Sequence, residues 1–222
     1  MESPHIKAIA SRLGADLCGI ATVDRFSGAP KGFHPSDILA ETRSIIVFAK
    51  PMSRTAYQAK SMAPYTLMRN QVLARLDEIA IGMALELEAA GARTLPIPSA
   101  EPYEFWDVEA RQGKGILSLK HAAQNAGLGT LGKNTVLLNP RFGNRLWLGA
   151  VLTELELEPD PVLEPQCLEG CTLCLEACPQ EALDGTTLIQ KRCREHSFLA
   201  SEGGGWFYNC CRCLQICPAG VC

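Results

Sequence analysis

The chain has 222 residues, of which 21 are lysine or arginine and 24 are aspartate or glutamate, so its formal charge is −3. A weakly acidic chain lacks the excess of positive charge that attracts nucleic acid, so nucleic acid is not expected as a partner. Hydrophobic residues make up 47% of the chain, and no uncharged apolar run approaches the roughly 18 residues that a membrane span requires. The composition predicts a soluble globular protein without a membrane partner.

The first residues argue against secretion. Glu2 stands where a signal peptide carries positive charge, and Lys7, Arg12 and Asp16 interrupt the apolar residues that follow. We therefore expect a cytoplasmic protein. In that reducing compartment, closely spaced cysteines bind metal more often than they form disulfides.

Hydrophobic periodicity predicts mixed helices and strands over the first three quarters of the chain. Apolar residues at helical spacing predict helices over 5–13, 66–90 and 117–126, each closed by a glycine. Continuous apolar or β-branched runs predict strands at 15–21, 44–49, 92–98, 135–138 and 146–153. This mixture indicates an α/β or α+β domain.

A proline-rich segment separates this part of the chain from a cysteine-rich end. Residues 155–166 contain three prolines and show no periodicity, which indicates a linker. The residues beyond it offer too little aliphatic surface for a hydrophobic core. We therefore expect one domain over 1–160 and a second over 161–222, in which bound metal replaces the core.

Ten of the 11 cysteines lie in this last part, in two related motifs. Residues 167–179 read CxxxCxxCxxxCP and residues 210–218 read CCRCLQICP, which contains CxxCxxxCP. Bacterial two-cluster ferredoxins carry such a motif twice, with the cysteine before each proline binding the other cluster. The spacing predicts two [4Fe–4S] clusters. Paired zinc sites also use CxxC, but they do not explain the Cys-Pro endings.

The crossed pattern predicts the ligands of each cluster. The first cluster takes the first three cysteines of one motif and the last of the other: Cys167, Cys171, Cys174 and Cys217. The second takes Cys178, Cys210, Cys213 and one further cysteine, for which the candidates are Cys193, Cys211 and Cys222. We prefer Cys193, which lies in the connecting segment, over Cys211, which lies inside the CxxC loop beside two ligands. Cys18 is expected to be a small buried hydrophobic residue.

Residues 127–132 read GLGTLG, a glycine pattern that dinucleotide sites also use. Those sites need a strand before the loop and a helix after it, whereas here the order is reversed. The loop still places flexible backbone beside basic and amide side chains that suit an anionic part of a cofactor, although a solvated turn is the simpler alternative. The predicted cofactor-binding residues are Gly127, Leu128, Gly129, Lys133, Asn134, Arg141 and Arg145.

The run from 126 to 160, which begins AGLGTLGKNTVLL, resembles the iron–sulfur family of epoxyqueuosine reductases when taken with the cysteine motif that follows it. It resembles the catalytic part of reductive dehalogenases more distantly. Residues 14–21 and 41–51 are similar to the family's N-terminal strands, and Cys193 falls where the family has a cluster cysteine. The resemblance implies an α+β architecture: a nitroreductase-like α/β domain that holds cobalamin, followed by a bacterial ferredoxin-like domain with two [4Fe–4S] clusters.

The sequence also departs from the family's pattern. The family's catalytic aspartate, shortly before the AGLG helix, has no counterpart in residues 109–115, and its tRNA-gripping helical repeats would lie beyond Cys222. Asp107, Glu109 and His121 lie nearby, but each is better explained as an ordinary surface carboxylate or half-buried histidine. We therefore leave the catalytic residues unknown and do not include tRNA modification in the expectation.

Two functions are compatible with these features. In the first, a donor such as ferredoxin or flavodoxin passes low-potential electrons through both clusters to a cofactor in the N-terminal domain. That cofactor, a corrinoid or else a flavin, then reduces a small substrate. In the second, the chain is an electron-transfer or activator module that docks on a partner enzyme, such as a corrinoid protein, and has no substrate site of its own.

Overall fold

The computed structural model describes residues 1–200 and 202–220. The first half contains, in chain order, α1 (Ser3–Leu13), β1 (Leu17–Thr22), α2 (Pro35–Ile38), β2 (Ser44–Pro51), α3 (Arg54–Gln58), α4 (Ala63–Ala89) and β3 (Thr94–Ile97). There follow β4 (Phe105–Asp107), β5 (Gln112–Lys114), α5 (Leu119–Asn125), β6 (Thr130–Leu131), β7 (Leu137–Leu138) and β8 (Leu146–Thr153). The cysteine-rich part contains α6 (Leu173–Glu176), α7 (Gln190–Ser197), β9 (Phe198–Ala200), β10 (Trp206–Tyr208) and α8 (Arg212–Gln215).

A four-stranded antiparallel sheet forms the centre of the fold, in the order β1-β2-β8-β3. The central pair β2 and β8 is in register, with Ile46 opposite Val151. Residues 44–49 are all buried, because both faces of the sheet are covered. That burial explains the uninterrupted apolar run in the sequence. The mixed helix and antiparallel-sheet architecture confirms the predicted α+β class.

Helices cover both faces of this sheet. On one face α1 and α4 pack through residues such as Ile6, Leu76 and Met83, each fully buried. On the other face α5 packs with small residues, among them Ala122 and Ala126. Burial of each large aliphatic side chain contributes about 1.5–3 kcal/mol, so both layers stabilise the sheet. No helix in the described part of the chain is both long enough and apolar enough to span a bilayer.

The structure shifts the limits of several predicted elements. The strand predicted at 135–138 is reduced to Leu137–Leu138, because Thr135 has a φ of 63° inside a turn. A hydrogen bond from the Thr135 amide to the Gly132 carbonyl closes that turn at 2.8 Å. The longest helix begins at Ala63 rather than residue 66, since Pro64 suits a first helical turn.

The predicted linker has no helix or strand, yet its middle is held against the first part of the chain. The Asp160 side chain pairs with Lys7 and accepts a hydrogen bond from the Ile20 amide at 2.9 Å. The Asp160 carbonyl accepts another from Arg25 at 2.7 Å. These bonds fix the point from which the chain enters the cysteine-rich part.

The cysteine-rich part also contacts the first part at its far end. The Tyr208 amide donates to Thr66 Oγ1 at 2.9 Å, and Gln215 Nε2 donates to the Tyr57 carbonyl at 2.6 Å. Asn144, two residues before β8, donates a hydrogen bond to the Leu214 carbonyl at 2.8 Å. These hydrogen bonds attach β10 and α8 to the first part of the chain. The cysteine-rich part therefore lies beside the central sheet and its helices.

Candidate functional site

The four cysteines predicted for the first cluster line one cavity. Cys174 lies in α6 and Cys217 precedes the turn at Pro218–Gly220, and both are 7% exposed. Cys167 and Cys171 come from the loop before α6 and complete the ring of sulfurs. The space between the lining atoms, including the part open to solvent, is about 320 Å³. Residues from both motifs therefore meet at one point, as the crossed pattern requires.

Electrostatic coupling shows the same grouping. Burial raises the pKa of Cys174, and the charges of Cys217, Cys167 and Cys171 raise it further. Burial also raises the pKa of Cys217, with backbone N–H groups of Ala219 and Gly220 opposing that increase. Amides directed at a sulfur favour its thiolate form.

The cysteines predicted for the second cluster form a second group. Burial raises the pKa of Cys213 to about 12, and the charges of Cys193, Cys210 and Cys178 raise it too, followed by that of Cys174 from the first group. Burial raises the pKa of Cys193 on α7, with contributions from Cys178 and Cys210. The Ala182 amide donates to Cys178 Sγ at 3.3 Å. Cys193 therefore lies among the three CP-motif cysteines assigned to this cluster.

The remaining cysteines lie elsewhere. Cys211 is 5% exposed and belongs to the hydrophobic core beside Tyr57 and Tyr65. Cys18, on β1, packs against the same core, as predicted for a small hydrophobic residue. Cys222, the third candidate for the eighth ligand, lies outside the described residues.

Every cysteine that the structure describes is a free thiol. Within residues 1–200 and 202–220, no three His, Cys, Asp or Glu side chains converge closely enough to hold a single metal ion. A [4Fe–4S] cluster binds one thiolate at each of four irons, so its ligands enclose a wider space than those of one ion. Two groups of four thiols, each partly or fully buried, fit such clusters.

The residues after the glycine loop contact both motifs. Lys133 Nζ donates to the Cys171 carbonyl at 2.8 Å, and Asn134 Nδ2 donates to the Cys213 carbonyl at 3.4 Å. Both side chains also line the cavity of the first four cysteines. The structure therefore places these two predicted cofactor-binding residues beside the first predicted cluster.

The glycines of the loop are packed against other backbone. Gly127 has a φ of 71°, and an added Cβ would lie 2.3 Å from the Pro161 carbonyl oxygen. At Gly129 an added Cβ would lie 2.4 Å from the Leu138 carbonyl oxygen, and Leu128 between them is buried. Close backbone approach therefore accounts for the glycines at these two positions.

The two arginines predicted for cofactor binding have protein partners. Arg145 Nη1 donates to the Met52 carbonyl at 2.9 Å, whereas its buried Nε has no hydrogen-bond partner in the described part of the chain. The Arg141 guanidinium lies 4.7 Å from the centre of the Phe142 ring. Neither lines the large cavity described next.

A cavity of about 570 Å³ lies between the loop after β1, hairpin β4–β5 and α5. Its volume falls within the roughly 300–1,000 Å³ typical of small-molecule sites. Its lining is mainly apolar, with a few polar groups: Arg25, Phe26, Gly28, Ala29, Pro30, Phe33, Gly113, Lys114, Gly115, Leu117, Ser118, His121, Asn125 and Gln190. Sequence reasoning missed this site, because its residues come from four separate segments.

His121 is the one candidate from the sequence that lines this cavity. Its Nδ1 lies 2.7 Å from Ser118 Oγ, and burial and the charge of Lys120 lower its pKa. Asp107 is exposed on β4 and accepts a hydrogen bond from the Ala110 amide at 2.8 Å. Asp107 therefore has a local structural role, and Glu109 is an exposed turn residue.

One side chain connects the cavity with the second group of cysteines. The Gln190 amide exchanges two hydrogen bonds with the backbone of Gly113, both 3.2 Å long. Gln190 begins α7, and Cys193 follows three residues later on the same helix. Residues three apart on a helix are neighbours, so Cys193, one member of the second group, lies within one helical turn of the cavity wall.

Comparison with known proteins confirms the resemblance indicated by the motifs. The chain is 29% identical to the epoxyqueuosine reductase of Staphylococcus aureus over 94% of its own length and 62% of that protein. It is 34% identical to the epoxyqueuosine reductase of Bacillus cereus over 122 residues, 50% of this chain and 32% of the relative. The chain thus spans less than two thirds of these curated relatives. No protein-family model matches it.

Solved structures share the fold. Epoxyqueuosine reductase from Streptococcus thermophilus superposes with a TM-score of 0.66 at 21% identity, covering 98% of this chain and 65% of the other. A catabolic reductive dehalogenase in complex with 3-bromo-4-hydroxybenzoic acid gives a TM-score of 0.72 at 21% identity, covering 97% and 31%. A further neighbour is an epoxyqueuosine reductase with a tRNA stem loop, with a TM-score of 0.63 at 20% identity over 98% and 64%.

Proposed function

We propose that this chain is an iron–sulfur oxidoreductase that passes low-potential electrons through two [4Fe–4S] clusters to a molecule bound in the large cavity. The observation that carries the proposal is the Gln190 bridge, which connects the cavity wall to the helix of Cys193. Electron transfer needs a donor group close to the acceptor, and this connection supplies the proximity. The similarity to epoxyqueuosine reductases supports the same class of reaction.

The clusters would be held by the two groups of thiols. Cys167, Cys171, Cys174 and Cys217 would bind the first, and Cys178, Cys193, Cys210 and Cys213 the second. When bound, the clusters supply one-electron transfer, and the chain tunes them through burial and backbone N–H groups directed at sulfur. In this proposal residues 161–222 act as a ferredoxin-like domain and residues 1–160 as a nitroreductase-like α/β domain.

The position of the two groups suggests the direction of electron flow. The second group lies beside the cavity, so electrons would enter at the first. Exposed apolar side chains surround the first group, with Leu168 55% and Leu173 43% exposed. Such residues suit a transient contact with a small electron donor, such as a ferredoxin or flavodoxin.

The molecule in the cavity would be a cofactor or a small substrate. A whole corrinoid is larger than the cavity and would have to extend through its opening, whereas a flavin ring is small enough to lie inside it. We test cobalamin first, because the resemblance implies it, and flavin second. Bound there, either group would supply the redox chemistry while Phe26, Phe33 and His121 orient it. A tRNA carrying epoxyqueuosine belongs among the substrates tested, given the names of the relatives.

The test is the metal and cofactor content of protein purified and reconstituted without oxygen. We expect about eight iron atoms per chain and the broad brown absorption of two clusters. Added hydroxocobalamin or flavin mononucleotide should be retained on gel filtration by the wild-type protein. A colourless protein with stoichiometric zinc would contradict the proposal.

The same experiment distinguishes this oxidoreductase from the alternative function, electron transfer to a partner enzyme. An electron-transfer module that docks on a partner enzyme would contain both clusters but retain neither cofactor and reduce no small substrate. Cys18→Ala serves as the control, since Cys18 packs against the core and should leave the iron content unchanged.

A further inference from the structure

We propose that the large cavity binds a planar, mainly apolar ring compound with an oxygen acceptor, to which His121 donates a hydrogen bond from Nε2. This inference rests on the proposed function in one respect: the molecule that is reduced is bound in the cavity. It gives that molecule a chemical class and assigns a specificity-determining residue.

The walls of the cavity favour a flat apolar ligand. Phe26 and Leu117 are each 5% exposed, and Phe33 is held in place by the ring of Phe105, whose centre is 5.2 Å away. Gly113 also lines the cavity, and the rings of Tyr103 and Trp106 cover the side of it on which a Cβ would lie, at 3.0 and 3.1 Å. The rings of Phe26 and Phe33 suit the faces of a planar ligand.

Most polar side chains of the lining are bonded to the protein itself, whereas the exposed Lys114 has no such partner among the described residues. Arg25 Nη1 donates to the carbonyls of Asn125 and Asp160, at 2.6 and 2.7 Å. The Asn125 amide donates to the Arg25 carbonyl at 2.9 Å, and Gln190 is paired with Gly113. These groups therefore shape the cavity without offering a free donor at the bonded atoms.

His121, an exposed residue at the cavity wall, differs from Arg25, Asn125 and Gln190 in that one of its ring nitrogens has no protein partner. Its Nδ1 is bonded to Ser118 Oγ, and among the described residues Nε2 has no hydrogen-bond partner. Burial and Lys120 lower the pKa of His121, so the ring is neutral at pH 7 and carries a single N–H. Either atom could donate in the bond between Ser118 Oγ and Nδ1. In this proposal the hydroxyl is the donor, which places the single ring proton on Nε2, the nitrogen available to a ligand.

Two probes of similar size test the donor. Acetophenone and cumene have the same heavy-atom skeleton, but the carbonyl oxygen of the first is a methyl group in the second. Their dissociation constants are measured by ligand-observed NMR on the cluster-containing chain, in wild type and in His121→Phe. We expect the substitution to weaken acetophenone relative to cumene by about fivefold, the effect of one lost hydrogen bond.

Two further variants make the test specific. His121→Gln retains an N–H donor and should keep most of the preference for acetophenone. Ser118→Ala removes the partner of Nδ1, and the ¹⁵N shifts of His121 should then show a mixture of tautomers where wild type shows the Nε2–H form. An unchanged preference in His121→Phe, an Nδ1–H tautomer in wild type, or no binding of acetophenone at millimolar concentration would overturn the inference.

The outcome can be separated from that of the proposed function. Probe binding is measured on oxidised protein with no electron donor, and the iron content of the same sample is determined. Cluster formation without acetophenone recognition would refute the inference alone. Acetophenone recognition by a chain that forms no clusters would refute the oxidoreductase proposal and leave the ligand site standing.

Discussion

Lys133 donates a hydrogen bond from Nζ to the backbone carbonyl of Cys171, 2.8 Å away and 38 positions along the chain. Its neighbour Asn134, only 3% exposed, does the same for the carbonyl of Cys213 at 3.4 Å. Two adjacent side chains of the first part of the chain thus hold one loop of each cysteine motif.

Replacing Lys133 by methionine should weaken this attachment. The variant leaves the Cys171 carbonyl without its charged partner, so we expect the free energy of unfolding to fall by about 1–3 kcal/mol. Denaturant unfolding under anaerobic conditions measures the change. Lys31→Met is the matched control at an exposed lysine and should stay within about 0.5 kcal/mol. Equal losses in the two variants would show that the bond does not stabilise the fold.

The choice between Cys193 and Cys211 as the eighth ligand is tested by paired alanine variants. Cys193 is coupled to Cys178 and Cys210, whereas Cys211 lies in the apolar core. Cys193→Ala should therefore lower the iron content toward one cluster, while Cys211→Ala should keep both and lose some stability through the small void. Iron analysis and EPR of the reduced proteins measure this. Similar iron loss in both variants would refute the assignment of Cys193.

The central strands were predictable from their residues, whereas the assignment of the cysteines to two clusters remains a prediction. The continuous β-branched run at 44–49 predicts a strand covered on both faces, and β2 is that strand. The cysteines were assigned from spacing alone, because short loops around a cluster allow few arrangements. Spacing alone permits either Cys193 or Cys211 as a ligand. Only the structure shows that their surroundings differ.

The large cavity could not be predicted, because no local pattern marks it. Phe33, Gly113, His121 and Gln190 are brought together by the positions of β1, a hairpin, α5 and α7. The glycine loop illustrates the opposite problem. Its GLGTLG pattern suggested a ligand site, yet Gly127 and Gly129 are explained by tight backbone packing. Cofactor binding by this loop remains a prediction.

Gly19→Ala tests how closely β1 and α5 are packed. An added Cβ at Gly19 would lie 2.1 Å from the Ala126 carbonyl oxygen, so backbone must move to admit it. We expect a loss of about 1–3 kcal/mol in the free energy of unfolding. Gly203→Ala, where nothing lies within 4 Å of the new Cβ, is the control and should be nearly neutral. A neutral Gly19→Ala would mean that α5 is not seated on β1 as described.

Removal of iron should unfold one part of the chain before the other. The two buried clusters of apolar residues consist of positions up to 157, with Cys211 as the one later member among the residues described. Metal ligation and folding are coupled where no apolar core exists. After chelation we expect fast amide hydrogen exchange in residues 167–200 and 202–220, and retained protection in β1, β2 and β8. Loss of protection in the central sheet as well would show that the two parts fold as one unit.

Arg69 tests how hairpin β9–β10 is held against α4. The residue is 8% exposed, and its guanidinium carbon lies 5.6 Å from the ring centres of Trp147 and Tyr208 and 5.4 Å from that of Trp206. Arg69→Met retains the apolar stem but removes the cation, so we expect the free energy of unfolding to fall by about 1–2 kcal/mol.

The matched control for Arg69 is Arg43→Met. Arg43 forms an exposed ion pair with Glu156 at 3.0 Å, and such pairs contribute less than about 1 kcal/mol. Tryptophan fluorescence provides a second readout, because only the Arg69 variant alters the surroundings of Trp206. Equal stability losses with unchanged fluorescence would indicate that the hairpin is held without the cation, by contacts such as the hydrogen bond from the Tyr208 amide to Thr66 and the contact of the Tyr65 and Tyr208 rings.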